Sequence, residues 1–121
     1  MKDYLWAERA RMDIGAYFKE MLSSYDIIVT PTTAMVAFDA GINMPNDAKG
    51  QPWDNWTPFT LPANLARLPA LSLPMGMTKD GLPAGLQLMA GYLRDPFLLR
   101  VGAAVEEAIG FTQWIEAKKE G

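Results

Sequence analysis

Prolines divide the most hydrophobic stretch of the chain, residues 60–76, into short pieces. The stretch reads TLPANLARLPALSLPMG, with prolines at positions 62, 69 and 74. Pro62 suits the first turn of a short helix, because the N–H that proline lacks would have no partner there. Pro69 ends that helix, since the residue before a proline is pushed out of the helical region. Residues 71–73 then form a short strand, which Pro74 limits at an edge or a bulge.

The N-terminal part predicts a long helix followed by a buried strand. Residues 4–25 carry an apolar stripe at helical spacing, formed by Trp6, Ala10, Ile14, Tyr17 and Met21. We expect this helix to bury that stripe against a sheet. The β-branched run at 27–29 is typical of a strand buried on both faces, and Pro31 should end it.

The C-terminal part predicts a hairpin and a closing helix. Residues 79–81 form a turn, and the run GLQLMAG at 85–91 is the second strand of the hairpin. Asp95 is the expected N-cap of the last helix, with Pro96 at its first position. Gly110 is placed to end that helix as its C-cap.

Two segments show no sustained helical or strand periodicity in their apolar residues. Residues 34–59 are predicted to form a loop of unusual length, and such loops are often functional. The loop is either a flap over a ligand site or a segment anchored on the core by Trp53 and Trp56. The polar tail at 115–121 is expected to fray.

Length and charge favour a single soluble domain without nucleic-acid or membrane partners. The chain has 121 residues, 50% of them hydrophobic, and a net charge of −3. Acidic and basic residues are interleaved, so no basic surface is available to bind phosphate backbones. No apolar run is long enough to span a membrane, and the charged N-terminus does not read as a secretory signal. The expected location is the cytoplasm.

The chain contains no cysteine and no histidine. This composition excludes thiol nucleophiles, disulfides, imidazole bases, and metal sites built from thiolate or imidazole. The glycines at 76, 81, 85 and 91 match no phosphate-binding loop, and the aspartates at 39, 47 and 54 lack calcium-loop spacing. We therefore expect no metal and no cofactor.

Four separated blocks carry a family resemblance. They lie at 25–33 (YDIIVTPTT), 56–76, 81–91 (GLPAGLQLMAG) and 95–108 (DPFLLRVGAAVEEA). In this order and spacing they resemble the C-terminal part of the amidase signature family, serine amide hydrolases that include a glutamyl-tRNA amidotransferase subunit. The resemblance implies an α/β fold in which two long helices pack on a small mixed β-sheet. It also implies that residues 1–121 are one domain, the C-terminal portion of an amidase-like domain.

The same resemblance implies catalysis by a Ser-Ser-Lys triad located well upstream of these blocks. None of the serines in this chain, Ser23, Ser24 and Ser72, lies in a glycine-rich turn. Without a nucleophile held beside a base, acyl transfer loses most of its acceleration. We therefore expect no catalytic residue here and no hydrolysis by the chain alone. A small-molecule amide would bind only to a longer parent protein.

By position in the family, Trp56, Thr57 and Phe59 are the candidates for substrate contact, with plain packing as the alternative. Thr57 stands where glutamine-using members usually carry an aspartate, which favours a general amidase over a tRNA-linked one. Arg67 stands where the family usually has glycine, so its side chain must either collide with backbone or reach solvent.

A second interpretation comes from a different class of protein. The chain would be a non-catalytic structural or interaction module that keeps the scaffold and has lost the reaction. An open sheet edge would then invite homo-oligomerisation.

Overall fold

A computed structural model describes residues 1–47, 49–54 and 56–112. In chain order its elements are α1 (Lys2–Ser24), β1 (Ile27–Pro31), α2 (Thr60–Ala66), β2 (Ala70–Met77), β3 (Pro83–Ala90) and α3 (Asp95–Ile109). The predicted α/β architecture, with long helices beside a small sheet, is confirmed. The tail at 115–121 lies outside the described residues.

The three strands form one antiparallel sheet in the order β1-β3-β2. Ile27 faces Ala90 across the first pairing, and Ala70 faces Met89 across the second. β3 is therefore central, and among the described residues β1 and β2 each have one edge without a partner strand. The prediction that β1 is buried on both faces is wrong: as an edge strand it is half-buried, and Val29 is 54% exposed.

The predicted hairpin of β2 and β3 is confirmed. The register between them shifts between Pro74 and Gly76, so Pro74 sits at a bulge, as expected for a residue without a ladder donor. The connecting turn is closed by the N–H of Thr78, which donates to the carbonyl of Leu82 at 2.7 Å. Gly81 supplies the positive φ of 77° that this turn requires.

The core lies between α3 and one face of the sheet. Its buried members are Leu73, Leu88, Ala90 and Leu98. Around them, Ile27, Leu71, Leu86, Phe97, Val101 and Val105 are partly buried. Alternate residues of β3, at 86, 88 and 90, point to this face, as the period of two in a strand dictates.

The N-terminal boundary of α3 differs by one residue from the prediction. Arg94, with φ −95° and ψ 30°, is the N-cap, so Asp95 is the first helical residue and Pro96 the second. The prediction of Asp95 as the cap is therefore wrong, although its carboxylate still favours the positive end of the helix. Gly110 is the C-cap in the left-handed conformation, as predicted, and its N–H donates to the carbonyl of Glu106.

α1 packs against α2, with no fully buried residue of its own. Two of the five residues in the predicted stripe are exposed, Trp6 at 74% and Tyr17 at 62%, and the other three are only half-buried. The physical reason is geometric: α1 faces the sheet across a hollow of about 210 Å³, which Met21 lines together with Ile28 and Met89. The prediction of a helix packed face-on against the sheet is therefore wrong.

The segment between β1 and α2 is a loop, as predicted. Its described residues form no helix or strand, and one isolated bridge joins Asn46 to Pro52. Asp47 organises this tight bend, because its Oδ1 accepts the backbone N–H groups of Lys49 and Gln51 at 2.8 and 2.9 Å. Further along, the ring of Trp56 meets that of Phe38 edge-to-face, with centroids 5.4 Å apart.

Candidate functional site

A buried glutamine joins three segments on the sheet face opposite α3. Gln87, in central strand β3, is 4% exposed. Its Nε2 donates to Thr30 Oγ1 of β1 at 2.9 Å and to the carbonyl of Phe59 at 2.8 Å. Because a buried amide is costly unless it is hydrogen-bonded, these two bonds fix its position. Through these hydrogen bonds, Gln87 links the residues that precede α2 to strands β1 and β3. We refer to this pair of hydrogen bonds as the Gln87 tie.

The predicted substrate-contact residues lie at and just before this tie. Phe59 is half-buried and lines the hollow beneath α1, together with Tyr17, Phe18 and Met89. Trp56 is half-buried against Phe38, and neither Trp56 nor Thr57 lines that hollow. The carbonyl of Thr57 accepts the N–H of Leu61 at 3.4 Å. The three residues share one backbone segment rather than one cavity, and substrate contact by them remains a prediction.

A second polar contact lies on the same sheet face and joins two rows, because Ser72 is opposite Gln87 and Thr32 is level with Gly85. Thr32 Oγ1 and Ser72 Oγ are 2.7 Å apart, in hydrogen-bonding contact across the sheet. The central strand passes beneath this pair as Gly85, where a Cβ atom would stand 2.7 Å from Thr32 Oγ1 and 3.1 Å from Ser72 Oγ. Gly85 thus leaves the space in which the two hydroxyls meet.

Two of the three serine hydroxyls have hydrogen-bond partners other than a base. Ser23 Oγ donates to the carbonyl of Glu20 at 2.6 Å, and Ser72 Oγ is engaged with Thr32. Ser24 is exposed at the end of α1. Within the described residues every lysine is exposed, and no serine–lysine hydrogen bond is present. These hydroxyls therefore show no geometry that would activate a nucleophile.

The described part of the chain offers neither a carboxylate cluster for a metal nor a membrane-spanning helix. No group of three or more carboxylates in residues 1–47, 49–54 and 56–112 is arranged to hold a metal ion. None of the helices in these ranges is both long and apolar enough to cross a bilayer.

The fold and the sequence together place this chain in a known class of enzymes. The family model for Amidase matches residues 1–99, and the chain belongs to that family. Membership gives it an amide-hydrolase lineage and confirms the family resemblance seen in the four sequence blocks.

Particular relatives include two kinds of enzyme. The chain is 41% identical over 110 residues to a glutamyl-tRNA(Gln) amidotransferase subunit of Rhodospirillum rubrum, covering 91% of this chain and 21% of that protein. It is 42% identical over 113 residues to a fatty acid amide hydrolase of Medicago truncatula, covering 89% of this chain and 18% of that protein.

Solved structures agree with these relatives. The crystal structure of the corresponding glutamyl-tRNA(Gln) amidotransferase subunit from Thermotoga maritima superposes with a TM-score of 0.74 at 35% identity, covering 86% of this chain and 22% of that one. A bacterial aryl acylamidase superposes with a TM-score of 0.72 at 26% identity, covering 84% and 22%. The chain therefore spans about a fifth of the length of the relatives it matches.

Sequence reasoning missed Gln87 as an organising residue. It lies in the run GLQLMAG, for which the sequence pattern predicts only a strand. The available signal was a long polar side chain in the middle of an apolar strand, since such a residue must find partners once it is buried.

Proposed function

We propose that this chain is the C-terminal part of an amidase, and that the groups that break the amide bond belong to sequence upstream of it. The observation that carries the proposal is the family match over residues 1–99 combined with coverage of only about a fifth of the relatives. In this proposal the chain supplies framework and part of the pocket wall, and hydrolysis requires the longer parent.

The distribution of apolar side chains supports an incomplete unit. Among the described residues, six hydrophobic residues are buried, whereas sixteen large hydrophobic side chains are exposed. Exposed apolar surface on this scale is typical of a face that another segment of polypeptide covers.

The role proposed for the chain in the parent enzyme rests on the tie made by Gln87. This residue fixes the carbonyl of Phe59, and hence the segment that begins at Trp56, on the sheet. A substrate wall must be held rigidly to position a reacting amide. We propose that Trp56, Thr57 and Phe59 form part of that wall once the remaining polypeptide closes the cavity.

The proposed substrates are amides without a charged amino group. A neutral hydroxyl at Thr57 does not pair with an ammonium group as a carboxylate does. A Thr57→Asp variant of the parent enzyme should raise kcat/KM for glutamine relative to that for a neutral amide such as benzamide. An unchanged ratio would show that residue 57 does not contact the substrate.

Ammonia release tests the main proposal. The purified 121-residue chain should release no ammonia from benzamide, octanamide or glutamine above the buffer rate. A chimera that joins the upstream four-fifths of the Rhodospirillum rubrum relative to this chain should hydrolyse an amide. A matched chimera whose upstream nucleophilic serine is replaced by alanine serves as the control. Enzyme-like turnover by the chain alone would refute the proposal.

A self-associating module is the second candidate, and the two open edges of the sheet, on β1 and β2, favour it. Unpaired strand edges and exposed apolar surface both promote association between copies. Size-exclusion chromatography with light scattering separates the candidates. If the chain alone forms a defined dimer and the chimera is inactive, the results favour the self-associating module. If the chain alone aggregates and becomes monomeric when fused to the upstream part, the results favour the amidase.

A further inference from the structure

A hollow unrelated to the predicted substrate wall lies between the second half of α1, the end of α2 and the turn after β3. Its volume is about 610 Å³, within the range of small-molecule sites. The residues that shape it are Gly15, Lys19, Leu22, Arg67, Leu68 and Tyr92. None of Trp56, Thr57 and Phe59 lines it.

The charges at this hollow are of one sign. Lys19 and Arg67 both line it, and no aspartate or glutamate does. Neither cation makes an ion pair with any residue that the structure describes. Of the other four arginines, two are paired in the described part of the chain, Arg11 with a glutamate at 2.7 Å and Arg94 with Asp26 at 3.1 Å, and Arg9 and Arg100 are not. Lys19 and Arg67 are thus available to bind an anion.

Arg67 occupies a backbone position that suits glycine. It has φ 55° and ψ 40°, the left-handed conformation. Its N–H donates to the carbonyl of Asn64, and the N–H of Leu68 donates to that of Ala63, which together form a Schellman cap. A non-glycine residue is strained in this conformation. The chain therefore keeps a long cationic side chain at the rim of the hollow despite the strain in its backbone.

Gly15 of α1 is one of the residues that line the hollow, and there is open space beside it. A Cβ atom on Gly15 would meet nothing within 4 Å. Glycine in the middle of a helix is unfavourable relative to alanine. Leu22 and Leu68 line the same hollow and provide an apolar wall.

We propose that this hollow binds a carboxylate that carries an apolar body. A guanidinium presents paired donors that match a carboxylate, and the lysine ammonium adds a second positive charge. The apolar body would lie on Leu22 and Leu68, above Gly15. This binding site is separate from the proposed hydrolysis, because it uses no catalytic group and all the residues that line it belong to this chain.

Calorimetric titration of the chain with sodium octanoate at neutral pH tests the proposal, with octanamide as the neutral ligand of the same length. Octanoate should bind with one site per chain, and octanamide should bind about tenfold more weakly, since it lacks the charge-assisted hydrogen bonds. The titrations are run at a concentration at which light scattering reports a single species.

Arg67→Gly is the decisive variant, because its effects on folding and on binding have opposite signs. Relief of the left-handed strain should raise Tm by about 2–5 °C. Loss of the guanidinium should weaken octanoate binding about tenfold. Lys19→Met should weaken octanoate binding without affecting octanamide, and Lys79→Met, at an exposed site in the hairpin turn, is the matched control.

Gly15→Leu tests the location independently of charge. A leucine at this lining position should occupy part of the hollow, so we expect it to abolish octanoate binding while it preserves or raises Tm. The proposal is overturned if octanoate does not bind at millimolar concentration, if octanamide binds equally well, or if a well-folded Arg67→Gly or Gly15→Leu protein retains the parent affinity.

Discussion

Replacing Gln87 by methionine tests whether the buried amide holds the segment at Phe59 in place. Methionine has a similar length and shape but donates no hydrogen bond, so it removes both bonds from Nε2, at 2.9 and 2.8 Å. Each lost bond costs about 0.5–1.5 kcal/mol, and the carbonyl left without its donor adds about 1–3 kcal/mol. Methionine regains part of this through burial. We expect a net loss of about 2–3 kcal/mol in the free energy of unfolding, a large part of the stability of a small domain.

Urea unfolding followed by circular dichroism measures this loss. With a slope of about 1–3 kcal/mol per molar urea, the midpoint should fall by about 0.7–3 M. Gln51→Met, at an exposed loop position, is the matched control and should change the midpoint little. The double variant with Thr30→Val should show a coupling of about 0.5–1.5 kcal/mol, because the two side chains share a hydrogen bond.

The result that refutes this reasoning is a Gln87→Met protein within about 0.5 kcal/mol of the parent, the range of ordinary surface substitutions. The two short hydrogen bonds would then contribute nothing to folding. The segment at Phe59 would have to be held by its apolar contacts alone.

Two further substitutions probe backbone positions. Gly85→Ala should destabilise the fold by about 1–3 kcal/mol, because its methyl group would lie within 3.1 Å of both hydroxyls of the Thr32–Ser72 pair. This loss should be smaller in a Thr32→Ala background, and a melting temperature unchanged by Gly85→Ala would contradict the prediction. Gly15→Ala should stabilise α1 by about 0.5–1 kcal/mol, since the position is helical and open, and thermal melting that shows a decrease would count against the described packing of α1.

Sequence patterns predict local structure correctly where the cause lies within a few residues. The short helix that contains Pro62, the bulge at Pro74 and the C-cap at Gly110 each follow from a backbone restriction of that residue. The prediction for Asp95 is wrong by one residue, because the cap depends on the dihedral angles of Arg94, and no residue pattern reports those angles.

Tertiary placement is less accessible to sequence reasoning. The stripe that includes Trp6 and Tyr17 has helical spacing, but spacing does not reveal whether anything covers it. The edge position of β1 likewise depends on sheet order, which a β-branched run does not specify. The tie from Gln87 to Phe59 joins residues 28 positions apart and appears only once the sheet has formed.

The two strand pairings of the sheet differ in how far apart their residues lie along the sequence. β2 and β3 are neighbours in sequence, whereas β1 meets β3 through pairs separated by 55 to 63 positions, from Pro31–Leu86 to Ile27–Ala90. Pairing β1 with β3 closes a long loop, and this costs more chain entropy than closing the short turn of the β2–β3 hairpin. We therefore expect the hairpin with α3 to form first, and α1 with β1 to join last and detach first. A single protease cut within the 34–59 loop would turn α1 with β1 into a separate peptide, held to the rest by one strand pairing and by the contact of α1 with α2.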